Sequence, residues 1–200
     1  MLLKFFFVGI IMQASYGIGP FLLPLGIKDK PFKGEFELIT TRKLPKGAVT
    51  DATVRLKVYR ASDGSTRFEN FEKDKEGEKA YAVSIFNSTK QEFYFLDVES
   101  KSAHIMSPSD SAPESEQSIS TDKNIGKKVI ENLICLGYQR KRGENDVFKY
   151  WLSEELNQIV LAKSVLGDET NTLRLFDIKR LEPDSKMFVV PKDYKPMKIE

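Results

Sequence analysis

The sequence predicts a mainly β protein, a curved antiparallel sheet forming a half-barrel or incomplete barrel of about ten strands, with one short C-terminal helix. Three observations lead there. Short segments of alternating apolar and polar residues recur from Pro31 onward. Turn chemistry such as Asp63-Gly64 and Gly167-Asp168 separates them, because glycine accepts φ > 0 at little cost. The 200 residues include 14 Phe and 7 Tyr, residue types that suit a pleated, half-buried surface.

The chain opens differently. Met1 to Lys4 is a short basic start, Phe5 to Met12 is apolar, and Ala14, Ser15 and Gly17 are small. This is the pattern of a signal peptide over residues 1–17. A second reading is an uncleaved anchor, since no charge occurs from Phe5 to Ile27 and a span needs ~20 apolar residues. Pro20, Pro24, Gly19 and Gly26 interrupt that stretch and favour cleavage. Residues 18–30 then form an apolar N-terminal arm, either packed across the sheet or docked on a partner. The expected location is outside the cytoplasm, periplasmic or secreted.

The remaining residues, 31–200, read as one β-rich domain. Gly34 to Arg42 is the first strand. Thr53 to Arg60 places Val54, Leu56 and Val58 on one face. Ser65 to Phe71 returns after Asp63-Gly64, and Glu72 to Lys79 reads as a solvated loop of mixed charge. Tyr81 to Phe86, Glu92 to Val98 and Ser102 to Met106 follow. Residues 107–124 are rich in Ser, Pro, Asp and Glu without periodicity and read as a flexible loop. Val129 to Gln139 reads as one strand weakened at Asn132 and Gly137. Val147 to Leu152 and Gln158 to Val165 form a hairpin, and Thr172 to Arg180 is the last long strand. Glu182 to Phe188 reads as the short helix, with Pro183 at its first position.

Several function classes lose support here. Lys plus Arg number 31 against 29 Asp plus Glu, so net charge gives no reason to expect nucleic acid as a partner. Cys135 is the one cysteine and cannot form an internal disulfide; its run Leu133-Ile134-Cys135-Leu136 marks it as a buried hydrophobe. A catalytic dyad would have to use Cys135 with His104, and nothing suggests a third, orienting group. No phosphate loop or nucleophile elbow occurs. No catalytic residue, metal site or cofactor is expected, although acids hidden among the 29 leave a hydrolase as a third reading.

Several segments resemble a family of exported, uncharacterised bacterial β-rich proteins, many of them acidobacterial. Val58-Tyr59-Arg60 to Thr66-Arg67 is similar to that family's arginine-bearing strand, turn and return strand. Phe93-Tyr94-Phe95-Leu96-Asp97 is similar to its next hairpin. Ile125 to Leu133 matches a Leu-Gly-x-x-x-Ile-x-Gly-Leu segment, with Asn132 in place of the usual glycine. Trp151 to Leu156 and Leu181 to Tyr194 resemble its later signatures. The resemblance covers Pro31 to the C-terminus and implies a relation to the periplasmic lipoprotein-carrier (LolA/LolB-like) half-barrel, an open sheet with an apolar concave face.

A sheet must cover its apolar face, and the sequence offers no long amphipathic helix to do so. Phe68, Phe93, Phe95, Phe148, Trp151 and Phe176 are therefore candidate ligand-binding residues, although each also suits a core. The leading expectation is a non-enzymatic binding protein holding a lipid, an acyl chain or a lipidated protein on the concave face. The alternative is an envelope module that interacts with or senses a protein partner through a sheet edge or the apolar arm.

Overall fold

A computed structural model describes residues 26–44, 47, 49–74, 77–106, 122–141 and 146–198. The expected signal peptide (1–17), most of the expected arm (18–30) and the stretch 107–121 lie outside the described residues. The described residues form twelve strands: β1 (Phe32–Lys43), β2 (Val49–Arg60), β3 (Thr66–Asp74), β4 (Gly77–Asn87), β5 (Glu92–Asp97), β6 (Ser102–Met106), β7 (Lys123–Ile130), β8 (Leu133–Lys141), β9 (Asp146–Ser153), β10 (Gln158–Leu166), β11 (Glu169–Lys179) and β12 (Lys195–Lys198). Their hydrogen-bonded order is β12-β6-β5-β4-β3-β2-β1-β11-β10-β9-β8-β7. The order has two ends, so the sheet is open.

This architecture is mainly β as expected, and it corrects the expectation in four places. The strand count is twelve rather than about ten. One added strand arises because Val129 to Gln139 is two strands: Glu131 (φ 50°) and Asn132 (φ 61°) are both left-handed, and Ile130 pairs with Leu133 across them. Two consecutive positive φ angles define the tight hairpin turn whose twist matches its strands. The other added strand, β12, pairs parallel with β6, so the sheet is mixed rather than antiparallel. Third, the C-terminal helix is only a four-residue 3-10 turn, Ser185–Phe188. Asp184 is extended (φ −58°, ψ 126°) and caps the turn by accepting from the Lys186 N–H, so Glu182 lies before it, where its carboxylate accepts from the Ser62 backbone N–H at 3.1 Å. Finally, the stretch 107–124 does not remain loop to its end, since β7 begins at Lys123.

Tight packing groups the described residues into two units. One comprises 26–36, 55–106 and 177–198, the other 37–54 and 122–176. In the first, one face of β4–β6 carries Val83, Ile85, Tyr94, Leu96 and Ala103, which are covered by Phe188 with Met187, Val190 and Tyr194 around it. Arg67 donates to the Met187 carbonyl at 3.0 Å and so ties that cover to β3. Burial pushes the Tyr94 phenol up to about 12, with its hydrogen bond to Glu92 adding to the shift. Arg60 is also buried, stacks on Phe32 at 4.6 Å, and donates from Nε to the Lys30 carbonyl at 2.9 Å. Burial pulls its guanidinium down to about 10, which leaves it charged at neutral pH.

In the second unit, Phe148, Tyr150, Ala162, Leu173 and Leu175 are buried on β9–β11. Tyr150 stacks on both Phe148 and Tyr138 at 5.3 Å. Burial of such side chains contributes about 1.5–3 kcal/mol each, enough to set the face of every strand. Cys135 is fully buried here, and burial pushes its thiol up.

Candidate functional site

Residues directly opposite each other in a ladder point to the same side of the sheet. The register therefore states which of the six candidate side chains share a surface. Val58 pairs with Phe68, Phe68 with Ser84, Ser84 with Phe95, Phe95 with His104, and His104 with Met197. This single row crosses six strands on the side opposite to the Phe188 cover. At ~4.8 Å per strand its contour is about 24 Å.

Phe93 stands two residues from Phe95 on the same side, with ring centroids 4.7 Å apart, and faces Phe86 across the ladder. The row is graded in exposure. Phe68 and Phe93 are 7 % and 5 % exposed, Phe95 and His104 are half-buried, and Met197 at the edge is 49 % exposed. Asn70 lies on the same side, beside the bulge between Asn70 and Phe71, and its buried Oδ1 has no hydrogen-bond partner among the described residues. The surface is thus aromatic with a few polar atoms, which is the usual character of a small-molecule site.

The other three candidates lie in the other unit and on two faces. Phe148 belongs to the row Arg140, Phe148, Ser164, Asn171, in which the last three are buried. Trp151 belongs to the row Gly137, Trp151, Leu161, Arg174, on the reverse side. Phe176, two residues beyond Arg174, shares that reverse side and lies 5.8 Å beneath the Arg174 guanidinium. Lys128 sits over the Trp151 ring at 3.5 Å from its centroid. Gly137 makes this possible, because a Cβ there would fall 2.8 Å from the indole nitrogen. Phe148 therefore does not share a surface with Trp151 and Phe176. Sequence reasoning also missed Ser84 and Met197 and weighed His104 only as a dyad partner of Cys135; all three join the site through cross-strand pairing.

No family model matches this chain, and no curated protein matches it in sequence. Solved structures do match. An uncharacterised conserved protein from Thermus thermophilus superposes with a TM-score of 0.52 at 8 % identity, over 82 % of this chain and 90 % of that one. The Pseudomonas aeruginosa MucA/MucB complex superposes with a TM-score of 0.54 at 10 % identity, over 87 % of this chain and 60 % of that chain. The fold is similar to that of MucB. The chain spans about 60 % of that neighbour's length. A LolA superfamily protein from Nitrosomonas europaea aligns over 82 % of this chain at a TM-score of 0.40, and the fold assignment rests on the first two. Among the described residues, no helix is long and apolar enough to cross a membrane.

Proposed function

We propose that this chain is an exported, non-enzymatic binding module that holds an apolar ligand, an acyl chain or the lipid of a lipidated protein, along the Phe68–Phe95–Met197 row. The observation that carries this reading is the graded row itself. It gives a largely apolar track of about 19 Å over the five strands from Phe68 to Met197, buried at Phe68, half-buried at Phe95 and open at Met197. That contour suits an acyl chain entering from the β12 edge, driven by apolar burial at ~25 cal/mol per Å². Ser84 and His104 in the same row offer hydrogen bonds to a polar head. The lipoprotein-carrier resemblance of the sequence supports the same reading.

Organic extraction of the purified protein followed by mass spectrometry tests it. Recovery of acyl species at near-stoichiometric yield is the expected result, and extracts no richer in lipid than buffer would contradict it.

A second reading has its own observation. Val129 and Ile134 face each other across β7 and β8 and are 69 % and 66 % exposed, an apolar pair at the open edge of the strand order. MucB, the fold neighbour, is solved in complex with MucA. A protein partner docked at this edge and laid over this side of β7 and β8 would cover both side chains. Loss of a partner from pull-downs on Ile134→Glu, with lipid content unchanged, would favour this reading over the first.

A further inference from the structure

The reverse face of β7–β11, which carries Trp151, has a charge distribution that the apolar row does not use. The register places Lys123, Lys128, Lys141, Lys149, Lys163 and Arg174 on this one side, and all six are exposed. The same register positions, among the described residues, hold no Asp or Glu. One acid reaches in from a turn, Glu131, which pairs with Arg174 at 2.6 Å. Lys149 stands directly opposite Lys163, and like charges in that relation are destabilising.

Strands β2–β4 treat lysines differently. In β2–β4, Lys57 stands opposite Glu69 and Glu72 opposite Lys79, and Lys57 bonds Glu78 at 2.5 Å. A near-neutral chain has thus balanced β2–β4 and left one side of β7–β11 without an acid at its described register positions. Ordinary solubility asks only for mixed charge, so it does not explain this segregation.

We infer that this basic face with Trp151 at its centre docks on an anionic lipid surface. The cations spread over five strands, about 19 Å across the ladder, and along several rows. One extended acidic peptide would meet one row of them, whereas a layer of anionic headgroups meets all. Lysines around a half-buried indole also match the interfacial layer, where tryptophan sits at headgroup level and each cation near the surface adds attraction. The inference stands on a different surface from the proposed ligand row and does not depend on it.

Flotation of the full chain with phosphatidylcholine vesicles, alone or with phosphatidylglycerol, tests the assignment. The neutral vesicles measure any binding by apolar residues 1–27, and the excess on anionic vesicles measures the face. The expected result is a clear excess at low salt that disappears at high salt. Lys149→Glu and Lys163→Glu should each weaken it by at least about fivefold, the effect of one surface cation. Each should also raise the melting temperature, because an opposite-sign pair replaces the facing lysines. Lys90→Glu makes the same change of net charge in the turn between β4 and β5, and should leave the excess within about twofold.

Absence of an excess, wild-type binding by folded Lys149→Glu, or an equal loss in Lys90→Glu would overturn the inference. Capture by poly-glutamate without any vesicle excess would overturn it as well, in favour of an acidic polypeptide.

Discussion

Asp122 and Arg140 form a two-pronged ion pair, with Nε donating to Oδ1 at 2.7 Å and Nη2 donating to Oδ2 at 2.8 Å. The Asp122 side chain is 1 % exposed, and Tyr150 donates to the same Oδ2 at 2.7 Å. The pair fixes the point where the chain enters β7 onto the face of β8 and β9. Breaking a buried pair by removing one partner costs about 3–5 kcal/mol, since the remaining charge stays buried. Asp122→Ala should lose stability in that range by urea unfolding. The double variant Asp122→Leu with Arg140→Met should recover most of it, because neither charge then remains.

The β7–β8 turn gives a backbone test. Asn132 occupies φ 61°, where a non-glycine side chain costs roughly 1–2 kcal/mol and asparagine is among the best tolerated. Asn132→Gly should hold or raise the melting temperature, and Asn132→Val should lower it by several degrees. The resembling family's glycine at this place and the asparagine here answer the same conformational demand.

Gly64 gives a sharper one. Its φ is 89°, and a Cβ there would lie 2.7 Å from the backbone carbon of Gly26. A backbone neighbour cannot swing aside as a side chain would. Gly64→Ala should therefore cost more than about 1 kcal/mol, read as a lower urea midpoint.

Alkaline pH should weaken the fold in a defined window. The Tyr94 phenol titrates near 12 in the folded chain, against an ordinary 10.0. A raised folded value means that the stabilisation is fully present below the unfolded value and fades as pH climbs through the folded one. Unfolding free energy should fall between pH 10 and 12, and Tyr94→Phe should flatten part of that slope.

Much of the sheet was legible because local chemistry decides it. Leu56 and Val58 alternate as a buried face, and both are buried. Asp63-Gly64 turns the chain, helped by Asp63 accepting from the Ser65 N–H at 2.7 Å. The turn at 154–157 joins β9 to β10 where expected. Other features are decided by pairing partners that alternation cannot reveal. Glu72 to Lys79 reads as a solvated loop, yet Glu72 and Lys79 face each other as rungs of β3 and β4. Parallel addition of β12 to β6 joins segments far apart in sequence. The candidate site divides for the same reason. Phe68, Phe93 and Phe95 share a surface because β3, β4 and β5 fall in one register, whereas Phe148 and Trp151, three residues apart, alternate to opposite sides of β9.

The half-buried ring of Phe95 lies midway along the proposed track, so a charge placed there should block an acyl chain. The most direct measurement is titration of a fluorescent fatty acid against the wild-type chain and Phe95→Asp, with circular dichroism confirming that both are folded. The expected result is saturable binding by the wild type and a loss of at least about tenfold in affinity, ~1.4 kcal/mol, for the variant. Equal affinity in the two folded proteins, or no saturable binding by the wild type, would contradict it.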